Sequence, residues 1–283
     1  MTTRIETEPT GSRPGRIAGE ILAAHAERRQ IAPLTLRPEG LTMPEAYRVA
    51  EAVRALREAR GERAVGRKIG FTNRTIWDEY DVHAPIWGTV YDSTLYALSE
   101  IAGAFDPAGL VEPRIEPEIV FGLGAAPDPG MDARDLLGCV AWVAHGFEVV
   151  QSLYPGWRFK APDTVAAFGL HGALLLGPRH ELRAGARDRW AEDLARLEIT
   201  LRCDGAAADH GRASHVLGGG PLAALHHLVE VLAADPDSPP LSPGEIVTTG
   251  TLTKALPVAR GQTWSTTLQG TSMAGIAVRF GGS

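Results

Sequence analysis

The chain has 283 residues, 44% hydrophobic and 22% charged, enough apolar material to bury a core in one large domain or a small-plus-large pair. Its formal charge of −6, with acidic residues scattered among the arginines and no basic stripe, argues against a nucleic-acid partner. No apolar run approaches the roughly 18 residues of a membrane helix, and the only cysteines, Cys139 and Cys203, lack metal-ligand spacing, which fits a reducing cytoplasmic setting.

Residues 1–14 contain acidic residues, Gly and Pro, without the apolar segment of a signal peptide, and read as a frayed tail. Residues 15–62 read as a helical N-terminal section. Ile17, Ile21, Leu22 and His25 recur at helical spacing to about Arg29. Thr42-Met-Pro-Glu45 predicts a second helix start, with Thr42 as N-cap and Glu45 closing a capping box, running to about Ala59. From residue 63 to the end the texture is of short strands broken by Gly, Pro and Asp, expected at 64–71, 88–91, 115–123, 173–176, 197–203, 245–249, 264–268 and 272–280. Residues 132–138 suggest a short helix leading into a strand or helix through Val150. Cys203-Asp-Gly205 is a hairpin-turn signal, and Leu222 to Ala233 reads as a helix. Runs of strands with segregated helices indicate an α+β fold.

Three acidic residues sit badly in their surroundings. Glu116 and Glu118 stand two apart at the start of an apolar strand, so their side chains share a face. Unpaired, they would repel each other and resist desolvation. Glu148 stands alone in the apolar run 141–150, three residues after His145. Each has a plain explanation: a solvated strand face for the pair, a salt bridge to an arginine for Glu148, a satisfied core position for His145. Taken jointly the three carboxylates suit a hard divalent cation, Mg²⁺ or Mn²⁺, able to receive a bidentate 2-oxo acid. Lys68, between Gly66 and Gly70, is either an ordinary strand lysine or one whose pKa desolvation lowers toward an acid/base range. The spacing there is not that of a phosphate-binding loop.

The chain resembles the 2-keto-4-pentenoate hydratase and 4-oxalocrotonate decarboxylase branch of the fumarylacetoacetate hydrolase superfamily. The resemblance lies in Glu45-Ala-Tyr47, Gly66-Arg-Lys-Ile-Gly70, Pro85-Ile-Trp-Gly88, Glu116-Pro-Glu118, Phe147-Glu-Val-Val150, Asp163-Thr-Val-Ala166, Val216-Leu-Gly218 through Ala224, and Thr249-Gly-Thr-Leu-Thr-Lys-Ala255. It implies a mixed β-sandwich or roll with a helical N-terminal section, assembled as a homo-oligomer and able to associate with a pathway partner enzyme. It also implies Mg²⁺ or Mn²⁺ held by Glu116, Glu118 and Glu148, with a 2-oxo acid or 2-hydroxydienoate from aromatic catabolism reacting through an enolate. Lys68 matches the lysine that contacts substrate and assists proton transfer; Lys160, Asp163 and Thr253 are expected to contact substrate.

Two positions depart from the branch's pattern. An Asp is usual where Ile86 stands, and isoleucine cannot move a proton. The segment after Asp163 usually reads Ala-Asp-Asn; here it is Ala166-Ala-Phe-Gly-Leu-His171, which brings in His171 as either a substitute acid/base or a pocket-wall residue. Asp81 and His83 also lie near the lost Asp in sequence. The leading expectation is a metal-dependent hydratase or decarboxylase. The alternatives are a C–C hydrolase of acylpyruvate type, or a non-catalytic partner subunit or small-molecule binder.

Overall fold

In a computed structural model of the chain, residues 11–132 and 134–281 are described; most of the expected tail lies outside them. The first helix, α1 (Arg13–Ala26), starts earlier than the apolar periodicity indicated, because Ser12 Oγ accepts the Gly15 N–H at 3.1 Å and Pro14 presets the first turn. The second, α2 (Met43–Glu58), has Thr42 at its N-cap position, but the expected capping box does not form. The Thr42 hydroxyl makes no cap hydrogen bond, and Glu45 turns to an ion pair with Arg13 on α1. That exchange ties the two helices together instead of closing one of them.

The strands then begin. Ala64–Gly70 is β1; the one-turn helix α3 (Trp77–Tyr80) follows; then come β2 (Ile86–Tyr91), β3 (Leu95–Ala97) and β4 (Ala104–Phe105). The long pair β5 (Arg114–Leu123) and β6 (Val140–Val150) forms the centre, followed by α4 (Ala161–Ala166) and β7 (His171–Glu181). The amphipathic helix α5 (Arg187–Arg196) leads to the hairpin β8 (Glu198–Cys203) and β9 (Ala206–Arg212). Asp204 and Gly205 in its turn have φ of 49° and 83°, the positive values a two-residue hairpin needs. Helix α6 (Pro221–Ala234), β10 (Ile246–Thr248), β11 (Leu256–Pro257), β12 (Thr263–Gln269) and β13 (Ala277–Phe280) complete the chain.

Two mixed sheets result. The larger runs β2-β1-β10-β5-β6-β7-β3, with β11 paired to β5; the smaller runs β4-β13-β12-β8-β9. Pairs β1/β10, β3/β7 and β4/β13 are parallel and the others antiparallel. The fold is the mixed α+β arrangement expected, a curled main sheet with N-terminal helices. One face of β5–β7 packs Ile115, Phe147, Val149 and Leu175 against Trp264, Val278 and Phe280 of the smaller sheet. The alternation of the strands sends the intervening side chains, Glu116, Glu118 and Glu148, to the other face. There α1, α2 and α4 build a separate apolar cluster that includes Ile86, Phe168 and Leu170.

Candidate active site

The ladder between β5 and β6 assembles the carboxylates. Glu148 is the direct cross-strand partner of Glu116, and Gly146 is the partner of Glu118. One oxygen of each of the three glutamates lies within 4.8 Å of the others. Like charges placed opposite each other across strands destabilise a sheet unless something compensates. Glu118 and Glu148 are both 0% exposed, and Glu116 is half-buried. Burial, with the neighbouring Glu148 and Glu116 charges, pushes the Glu118 carboxyl well above the usual range. Burial also lifts Glu116, to about 7, against the opposing pull of Lys68. Burial works the same way on Glu148, but Lys68 and a hydrogen bond from His171 outweigh it and hold that carboxyl down at about 2.

Two of the buried oxygens, Glu118 Oε1 and Glu148 Oε2, have no hydrogen-bond partner. Orphaned buried acceptors are rare in folded proteins and costly. An all-oxygen set of three carboxylates with unsatisfied lone pairs has the chemistry of a site for a hard divalent cation. The residues present therefore fit such an ion.

Each buried carboxylate is held from behind. Glu118 Oε2 accepts the Gly250 N–H at 2.9 Å. Gly250 has φ +85°, and a Cβ there would fall 1.9 Å from Thr72 Oγ1, so only glycine fits. Glu148 Oε1 lies 2.7 Å from His171 Nδ1, whose other nitrogen, Nε2, meets Thr94 Oγ1 at 2.9 Å. His171 is 2% exposed with both ring nitrogens engaged, which sets it behind Glu148 and not among the residues lining the pocket.

Lys68, 3% exposed on β1, donates from Nζ to the Gly169 carbonyl at 2.9 Å. Its Nζ also lies 3.2 Å from Glu148 Oε2, an ion-pair distance without hydrogen-bond alignment. The expected lowering of its pKa does not occur. Burial does act downward, but Glu148, Glu116 and Glu118 outweigh it, and the ammonium is held more firmly than in water. Ile86 sits beside it: a Cβ on Gly70 would lie 3.0 Å from Lys68 Nζ and 3.9 Å from Ile86 Cγ1. Where the resemblance leads one to expect a carboxylate, the lysine has an apolar neighbour.

The other residues singled out in the sequence fall outside this cluster. Lys160 is exposed. Asp163 is fully buried, with its oxygens accepting from Thr35 N–H (2.9 Å), Thr35 Oγ1 (2.7 Å) and Lys160 N–H (2.8 Å), so it holds the start of α4 against the segment after α1. The Thr253 hydroxyl donates to the Lys254 carbonyl at 3.1 Å, and its own carbonyl accepts from Asn73 Nδ2 at 3.1 Å. Asp81 and His83 pair with each other at 3.2 Å on the surface, 80% and 56% exposed. His145 lies on a strand, three residues from Glu148 and hence on the opposite face, not on a shared helical face. Burial pushes it down to about 4, and it bridges the Glu118 carbonyl and Thr266 Oγ1, each at 2.9 Å. Gly250, Gly169 and Thr94, which hold the working side chains, carry no chemical signal of their own in the sequence.

A small pocket opens onto the cluster, with Lys68, Glu116 and Thr251 in its wall. No family model matches the sequence. The chain is 34% identical over 243 residues, 86% of its length and 88% of the relative's, to 2-hydroxyhexa-2,4-dienoate hydratase of Comamonas testosteroni. The chain belongs to the 2-keto-4-pentenoate hydratase and 4-oxalocrotonate decarboxylase family. It is also 32% identical to 2-keto-4-pentenoate hydratase of Paraburkholderia phymatum, over 90% of this chain and 93% of that one. Among solved structures it is similar to 4-oxalocrotonate decarboxylase from Pseudomonas putida complexed with magnesium and adipate, with a TM-score of 0.84 and 26% identity over 97% of this chain and 100% of that one. Among the described residues no helix is long and apolar enough to cross a membrane.

Proposed function

We propose that this protein is a divalent-metal-dependent lyase, a hydratase or decarboxylase, acting on a 2-oxo acid or its 2-hydroxydienoate form. The observation that carries the reading is the pair of orphaned carboxylate oxygens, Glu118 Oε1 and Glu148 Oε2, in a cluster with Glu116 that faces a pocket. Glu116, Glu118 and Glu148 would hold Mg²⁺ or Mn²⁺. Such an ion supplies Lewis-acid polarisation to a substrate's oxo acid group.

The chain's own residues do the rest. Lys68 presents a charged Nζ in the pocket wall, aimed by the Gly169 carbonyl, where it can hydrogen-bond a substrate oxygen and hold or pass a proton. Gly250 and His171 fix the rotamers of Glu118 and Glu148, so the site does not reorganise during reaction. Ile86, 1% exposed, closes the flank beside Lys68 to water. The hydrolase alternative would use the same glutamates, with a Glu as the base for water, since both buried histidines near them have their ring nitrogens engaged.

The test is turnover. Purified protein with Mg²⁺ or Mn²⁺ is incubated with 2-hydroxypenta-2,4-dienoate, 2-hydroxyhexa-2,4-dienoate and a 2-oxo-3-enedioate, following the ultraviolet signal. Metal-dependent formation of a 4-hydroxy-2-oxo acid identifies a hydratase, and CO₂ release a decarboxylase. Loss of signal that survives chelation, or conversion of none of the three, would contradict the proposal.

A further inference from the structure

Two supports fix the place of His171. The first is Thr94, whose Oγ1 lies 2.9 Å from His171 Nε2, donates to the Tyr91 carbonyl at 3.0 Å and accepts the Tyr91 N–H at 3.3 Å. The second is the chain that leads into His171. Phe168, Gly169 and Leu170 have φ of 62°, 61° and 64°, in the left-handed region. Residues with side chains rarely adopt that conformation, and it persists only where the surroundings over-determine it. The same turn presents the Gly169 carbonyl that aims Lys68, so it serves both halves of the site.

Both supports run back to one buried residue, Arg57 on α2, 8% exposed. Its guanidinium carbon lies 3.8 Å from the centroid of the Tyr91 ring and 5.7 Å from that of the Phe168 ring, both within cation–π range. Its nitrogens donate to the Glu62 carboxylate at 2.6 to 3.1 Å and to Ser93 Oγ at 3.3 Å, and Ser93 Oγ donates to Glu62 in turn. A brace for α2 alone would need only Glu62. The contacts with Tyr91, Ser93 and Phe168 reach the two segments that hold His171, and a planar guanidinium can make them together where an ammonium cannot. Phe168 is confined further by the His25 ring of α1, edge-on at 5.2 Å. A Cβ on Gly88 would fall 2.8 Å from the Phe168 carbonyl oxygen, so β2 backs directly onto the turn.

We propose that Arg57 is a positioning residue of the site: from the N-terminal helices it holds the Tyr91–Thr94 turn and Phe168, and through them sets His171 and the Glu148 carboxylate. This role rests on the reading of the carboxylate cluster as a metal site. The direction of the effect separates it from simple charge. Removing a cation from the protein favours Mn²⁺ binding by electrostatics alone, whereas loosening His171 disfavours it.

The experiment is a set of double-mutant cycles read as Mn²⁺ affinity by calorimetry, with folding of each variant verified by circular dichroism. Arg57→Met, Arg57→Lys and Thr94→Val are each made in the parent and in His171→Ala. In the parent, Arg57→Met should weaken Mn²⁺ binding about 3- to 10-fold, and Thr94→Val should act in the same direction. Arg57→Lys, which keeps the charge and loses the planar fork, should also weaken it. In His171→Ala none of the three should weaken binding by more than about 2-fold, because the residue they act through is gone. Unchanged or tighter binding in Arg57→Met, or a loss of the same size in the His171→Ala background, overturns the proposal. Should Arg57→Met fail to fold, the same comparison with Arg57→Lys decides. A parent that binds Mn²⁺ while all three variants match it overturns this role alone; a parent that binds no Mn²⁺ overturns the metal site as well.

Discussion

His171 Nδ1 lies 2.7 Å from Glu148 Oε1, while Glu148 Oε2 makes no hydrogen bond and faces the Lys68 ammonium at 3.2 Å. An imidazole that grips one oxygen of a ligand carboxylate orients the other and fixes its rotamer. Partners of this kind typically contribute 10–100-fold to metal affinity. His171→Ala is expected to weaken Mn²⁺ binding by roughly that factor, measured by calorimetry, and His171→Gln, which keeps a donor, to recover part of it. Full affinity in the alanine variant would show that the hydrogen bond does not position Glu148.

Gly250 does for Glu118 through its backbone what His171 does for Glu148. Because φ is +85° and a Cβ would meet Thr72 Oγ1 at 1.9 Å, Gly250→Ala combines backbone strain with a steric clash. Urea unfolding is expected to show a loss of at least about 2 kcal/mol, together with weakened Mn²⁺ binding. A variant as stable as the parent would remove the case for this glycine.

Metal affinity should depend on pH, and its sign follows from the glutamates. Burial pushes Glu116 up to about 7 and raises Glu118 well above the usual carboxylate range in the metal-free protein, so a cation binding at the cluster must displace protons as the pH falls. Affinity for Mn²⁺ is expected to rise by roughly 10-fold or more from pH 6 to pH 8. In the metal-free protein the same raised values contribute stability below the unfolded carboxylate pKa that is lost as pH rises through about 7, so the gain in Tm on adding metal should be larger at pH 8. Affinity that is flat with pH would mean the carboxylates are already ionised.

Lys68→Met removes a positive charge from beside the metal ligands and the donor from the pocket wall. Mn²⁺ affinity is expected to hold or increase, while turnover falls by on the order of 100-fold or more. Retained turnover would exclude Lys68 from the chemistry.

The parts of this site visible in the sequence were those that violate a local rule. Glu116 and Glu118 share a strand face by spacing alone, and Glu148 stands out as a charge in an apolar run. What the sequence could not show is register. That Glu148 faces Glu116, and that Gly250, Gly169 and Thr94 reach the cluster, depends on pairing between segments up to 132 residues apart. His171 could be noticed but not placed, because its role is set by a contact with Glu148 and not by its neighbours in the chain. For Lys68 the glycine-flanked burial is legible in the sequence, but the three surrounding carboxylates, which turn its shift upward, are not. In the fold, the strand-rich texture and both N-terminal helices were readable. The one-turn α3 and the strongly polar α5, whose buried residues are Trp190 and Leu194, were too weakly patterned to read.

The most direct measurement is a calorimetric titration of Mn²⁺ into the parent protein and into Glu118→Ala, with folding of both verified by circular dichroism. The expected result is stoichiometric binding to the parent and none detectable to the variant, because Glu118 supplies one of the two orphaned oxygens around which the site is built. Equal affinity in the two proteins would place the metal elsewhere and contradict the carboxylate cluster as the centre of the chemistry.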